Sequence, residues 1–149
     1  MNKNINKVAF VTGGGSGIGK VIAKKFAKDG YDVALSYAGS YDGACEVKKY
    51  AENLGRKCEV YKADLGKYSE IISLFEKFEN DFGRIDVLVN NAGITDKSPF
   101  LETTDEIFDS ICNVDFKGSY FCTQQTAKIM RKNGIEGSII VISSNNASK

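Results

Sequence analysis

A 149-residue chain with a formal net charge of +1 has no basic excess to recruit nucleic acid or an anionic membrane, because its lysines are interspersed with acids. Hydrophobic residues at 42% and charged residues at 26% exclude a disordered chain and point to an ordinary soluble protein. With no histidine, and with Cys45, Cys58, Cys112 and Cys122 outside any C-x-x-C spacing, a metal site is disfavoured. The thiols read as free, buried and inert, as in a reducing cytoplasm, and no apolar run approaches a bilayer-spanning length.

Short runs rich in valine, isoleucine and leucine alternate with stretches of helical period. Strands are expected at 7–12, 32–37, 57–62, 85–90 and 138–143. The first helix follows the glycine-rich turn after the first strand, with Ile18, Val21, Ile22 and Phe26 expected to anchor it on the sheet. Residues 67–82 place Ile71, Phe75, Phe78 and Phe82 on one stripe and leave Glu70, Glu76, Lys77 and Glu79 wet. Thr103 and Glu106 form a candidate capping box opening a helix through about Ile111; a longer helix is expected over 114–132, closed by Gly134 and Gly137. Strand and crossover helix in this alternation predict an α/β fold: one domain over 1–149 with a doubly wound parallel sheet and helices on both faces.

Thr12-Gly13-Gly14-Gly15-Ser16-Gly17-Ile18-Gly19 falls between the first strand and the first helix, where such a sheet presents a phosphate site. Gly14 to Lys20 nearly fits the triphosphate loop G-x-x-x-x-G-K-S/T, but Val21 stands where a hydroxyl must reach magnesium. The dinucleotide pattern G-x-G-x-x-G started on Gly13 would put its third glycine on Ile18. The spacing that fits is Gly13, Gly17 and Gly19, written T-G-x-x-x-G-x-G. A second signature, Asn90-Asn91-Ala92-Gly93, ends the fourth strand on the same sheet edge, where small residues leave room for a flat ring and an asparagine amide can tie strand ends together.

These two motifs resemble those of the short-chain dehydrogenase/reductase family, and the resemblance covers the whole chain. It implies a Rossmann sheet binding NAD or NADP, with Thr12, Gly13, Ser16, Gly17, Ile18, Gly19, Tyr37, Asp64, Leu65, Asn91, Ala92 and Gly93 as cofactor residues. Asp64 would accept from the adenine amino group beside Leu65. Asn113, at the start of the long helix, and Ser144, ending the fifth strand, match two catalytic positions, one holding a water in a proton relay and one bonding the substrate oxygen. The family's tyrosine follows that serine, with a lysine one helical turn on, and none of the seven tyrosines stands there. Asn146-Ala147-Ser148-Lys149 echoes the tyrosine motif too soon after Ser144 to share its place.

The chain alone is therefore expected to be inactive, as a truncated product or part of a longer polypeptide, with the fifth strand an open sheet edge. A non-catalytic dinucleotide-binding module or a non-functional fragment is the alternative. Ser36-Tyr37-Ala38-Gly39-Ser40 lacks the acid that grips ribose hydroxyls, which favours NADP over NAD, although neither an arginine nor a basic residue at Ser16 is there to meet a phosphate. By resemblance the full-length protein would be a cytoplasmic homo-oligomer acting on a small carbonyl or alcohol.

Overall fold

A computed structural model describes residues 6–143. Five parallel strands, β1 Val8–Val11, β2 Asp32–Tyr37, β3 Cys58–Lys62, β4 Val87–Asn90 and β5 Ser138–Val141, form one sheet in the order β3-β2-β1-β4-β5. Helices α1 Gly17–Lys28 and α2 Tyr41–Asn53 join the first three strands, and α3 Tyr68–Phe82 carries the chain from β3 back across to β4. The direction of winding therefore reverses between β1 and β4, and a crevice opens where the helices leave their strands in opposite directions.

Both faces of the central strand are covered. Alternating β1 side chains face opposite sides, so Val8 and Phe10 join one core while Ala9 and Val11 join the other. Phe10 stacks on Phe78 of α3 at 5.1 Å between ring centroids, beside Ile71, Phe75 and Leu88. On the opposite face α1 and α2 present mostly small residues, Ala23, Ala27, Ala44 and Ala51, beside Val47. Of the expected α1 anchors, Ile22 and Phe26 pack there, but Ile18 and Val21 are 64% and 68% exposed. The alanines bring the α1 backbone close to the sheet, so the contact face centres on Ala23 and Ala27.

The chain between β4 and β5 departs from the sequence expectation in two places. The helix cap is Thr104, one residue later than expected: its Oγ1 accepts the Ile107 N–H at 3.3 Å, while Thr103 still belongs to the turn at Phe100–Glu102. Nor does a separate helix begin at 114. Helix α4 Asp105–Ile111 runs through a π-helical segment, Cys112–Gly118, directly into α5 Ser119–Asn133. Gly134 closes α5 in the left-handed conformation, as expected, whereas Gly137 lies past the end, where a Cβ would come within 2.5 Å of the Asp86 carbonyl oxygen. Strand β5 pairs with β4 and is exposed along its length. No helix among the described residues is long and apolar enough to cross a membrane.

Candidate dinucleotide site

A cleft of about 540 Å³ occupies the crevice at the carboxyl ends of the strands. It gathers ten of the residues singled out from sequence: Gly13, Ser16, Gly17 and Ile18 of the glycine turn, Tyr37 ending β2, Asp64 and Leu65 after β3, and Asn91, Ala92 and Gly93 after β4. Thr12 and Gly19 lie beneath the lining and shape it. Asn113 does not line the cleft; Val114 does, with Ser36, Ala38, Gly39 and Ser40 of the segment read for coenzyme preference, and with Ala63 and Ile94, which carry no signature legible in the sequence. Ser144 and the Asn146–Lys149 echo fall outside the described residues.

The two motifs are joined by one side chain. Thr12 is buried at the end of β1, and its Oγ1 accepts the backbone N–H groups of both Asn91 and Ala92 at 3.0 Å. In return, the Asn91 amide nitrogen donates to the Thr12 carbonyl at 3.0 Å and to the Gly13 carbonyl at 3.2 Å. The β1 and β4 ends thus exchange hydrogen bonds where the parallel ladder has stopped, which fixes the glycine turn against the strand end that follows β4.

Gly17 and Gly19 are bare for different reasons. Gly19 sits where α1 meets the turn, and a Cβ there would lie 2.3 Å from the Asn91 amide nitrogen and 2.4 Å from the Gly13 carbonyl oxygen. Protein packing requires that glycine. Gly17 has φ +50° and no protein atom within 4 Å of a would-be Cβ. Its open side faces the cleft at the start of a helix, where free N–H groups and the helix dipole favour an anion.

On the far side of the cleft Asp64 is held rather than free. Its Oδ1 accepts the Gly66 N–H at 2.9 Å, Lys67 stands 3.3 Å from Oδ2, and its own N–H donates to Glu70 Oε2 at 2.7 Å. The Asp64 N–H, followed by the Lys67 ammonium, holds the Glu70 carboxyl below its usual range. Glu70, expected to stay wet, therefore pins the backbone on which Asp64 stands. The wall between comes from β2: Ser36 is buried and its Oγ accepts the Gly13 N–H at 3.4 Å, while the Tyr37 and Tyr41 rings meet at 5.7 Å. Among the described residues no lysine or arginine lines the cleft; Lys20 and Lys24, just beyond the turn, are both paired with Glu46 of α2.

The π-helical segment borders the remaining side. Within it Asn113 lies near Gly66 and Gly118, Val114 lines the cleft, and Asp115 Oδ1 accepts the Ile94 N–H at 2.8 Å. Asn113 is consequently mid-helix rather than at a helix start, and the side chain that reaches the β4 loop is two residues farther on.

A family model described as short chain dehydrogenase matches residues 7–149. The chain belongs to that family. Among curated relatives of this short-chain dehydrogenase chain is L-rhamnose 1-dehydrogenase (NADP(+)) of Thermoplasma acidophilum, 38% identical over 138 residues, which are 93% of this chain and 54% of the relative. Acetoin dehydrogenase from Enterobacter cloacae superposes with a TM-score of 0.89 at 36% identity, over 95% of this chain and 56% of that one. A short-chain dehydrogenase from Burkholderia cenocepacia, solved in complex with NADP, superposes with a TM-score of 0.89 at 32% identity, over 99% and 59% of the two chains. The chain thus spans little more than half the length of the relatives it matches.

Proposed function

We propose that this chain is the coenzyme-binding part of an oxidoreductase that moves a hydride between NADP(H) and a small carbonyl or alcohol. The observation that carries the reading is the single cleft in which the glycine turn, the Asp64 loop and the Asn91-Ala92-Gly93 strand end meet, cross-tied by Thr12 and Asn91. The residues fit a dinucleotide: Gly17 keeps space open at a helix start for a pyrophosphate, Asp64 stands beside Leu65 for an adenine, and Ala92 and Gly93 leave a flat floor for a nicotinamide. When bound, the nicotinamide would supply or accept the hydride; the chain's own residues bind and orient it.

NADP is preferred over NAD in this proposal because the end of β2, Ser36 to Ser40, presents hydroxyls and no carboxylate to repel a 2′-phosphate. The L-rhamnose dehydrogenase relative and the Burkholderia structure, both named with NADP, support it. The same proposal places the 149 residues in one continuous domain, the protein in the cytoplasm and its full-length form in a homo-oligomer. The exposed aromatic groups Phe108, Phe116 and Tyr120 along the α4–α5 rod support the assembly.

Calorimetric titration of the folded chain with NADPH and NADH tests the reading, with saturable binding of NADPH the tighter of the two. No heat with either coenzyme sinks it, and tighter NADH binding removes the NADP preference. A spectrophotometric assay of these 149 residues with a panel of ketones is expected to show no NADPH oxidation, because all seven of their tyrosines precede Ser144, whereas the resemblance places the proton donor after it.

A further inference from the structure

We propose that Asp115 is a positioning residue for the nicotinamide half of the coenzyme, acting through the backbone of Gly93 and Ile94. This inference rests on the dinucleotide reading of the cleft. Gly93 and Ile94 line the cleft directly after Ala92, beyond the last ladder hydrogen bonds of β4. Side chains from two other elements hold this strip of backbone. Thr12 takes the N–H groups of Asn91 and Ala92, and Asp115 takes that of Ile94 at 2.8 Å. A Cβ built on Gly93 would stand 3.4 Å from Asp115 Oδ1, so the carboxylate lies along the wall rather than reaching it only at one atom.

The π-helical winding of Cys112–Gly118 delivers that carboxylate. Each turn of such a segment takes in an additional residue, which rotates Asp115 away from where uniform α-winding would aim it, and such segments concentrate at functional sites. Its neighbour Val114 lines the cleft itself, so the segment touches the site twice. Asp115 is exposed, and water competes for its oxygens; what it contributes is a fixed acceptor for an N–H that would otherwise be free to turn the Gly93–Ile94 wall.

The test compares Asp115→Ala and Asp115→Asn with the unaltered chain, titrating each with NADPH and with adenosine 2′,5′-bisphosphate, which lacks the nicotinamide half. Asp115→Ala is expected to weaken NADPH by about five-fold while leaving the bisphosphate unchanged, and Asp115→Asn, which keeps an oxygen acceptor, to restore most of the loss. Equal weakening of both ligands, or unchanged NADPH affinity in Asp115→Ala, overturns the inference. If Asp115→Ala does not fold, hydrogen exchange at the Ile94 amide of the unaltered chain and of Asp115→Asn decides: protection in both supports the tie, and exchange at the rate of an open peptide in the unaltered chain overturns it. An unaltered chain that binds neither ligand overturns the dinucleotide reading and this inference together; one that binds both while the variants fail to discriminate overturns this inference alone.

Discussion

The hydroxyl of Thr12 serves two consecutive amides, those of Asn91 and Ala92, so the residue directly after β1 sets the path of the chain leaving β4. Residues 79 positions apart in sequence are thereby held in one geometry, and the glycine turn cannot move without the strand end following.

Replacing Thr12 by valine keeps its shape but removes the acceptor from both half-buried N–H groups. Thr12→Val is expected to cost roughly 2–3 kcal/mol in urea unfolding and to weaken NADPH binding, whereas Thr12→Ser retains both properties. Equal stability of the valine and serine variants would contradict this role.

Gly17→Ala and Gly19→Ala separate ligand space from protein packing. The first is strained by its backbone, at about 1–2 kcal/mol, and puts a methyl group into the cleft, so coenzyme affinity falls more than stability. The second drives a methyl group into Asn91 and Gly13, so the melting temperature falls first. Differential scanning fluorimetry alongside coenzyme titration reads the contrast.

Tyr37→Asp places a carboxylate at the end of β2, where it would repel a 2′-phosphate and accept from ribose hydroxyls. The NADPH-to-NADH affinity ratio is expected to fall by roughly ten-fold or more. An unchanged ratio would locate coenzyme choice elsewhere.

Glu46, on α2, is held down from the ordinary 4.5 to about 2 by hydrogen bonds from Lys20 and Lys24 on α1. A depressed carboxyl adds stability above pH 4.5 and surrenders it as pH falls toward 2. Glu46→Gln should flatten that part of the acid-unfolding curve followed by circular dichroism, modestly because the pair is exposed and more visibly at low salt.

Cys58 and Cys122 are buried, and desolvation pushes both thiols up to about 12. A thiol reagent at pH 8 is expected to label Cys45 and Cys112 in the folded chain, and all four cysteines only after denaturation. Mass mapping of the labelled peptides reports which.

Much of this was legible because the motifs are local. The spacing of Gly13, Gly17 and Gly19 and the run Asn90 to Gly93 name a turn and a strand end, and the alternation of strand and helix puts both on one sheet edge. What escaped depends on contacts across the chain or on winding. Ile18 and Val21 look like anchors by hydrophobicity, yet the face of α1 is set by where Ala23 and Ala27 let the backbone approach. Glu70 reads as a wet helix residue until the turn at Asp64 brings a backbone N–H to it. A π-helical insertion leaves little trace in hydrophobic period, so the sequence directed attention to Asn113 while the fold presents Val114 and Asp115.

That insertion lets one continuous rod obey two phases. Downstream, Cys122, Thr126, Ile129 and Met130 keep to the buried side; upstream, the wider coil points a carboxylate sideways at the tip of a strand. Excising a single amino acid between 112 and 118 would smooth the rod without touching the downstream packing set. The orientation of everything before the cut would shift by about a quarter turn, so a chain so shortened could remain well folded and yet have misaimed its acid.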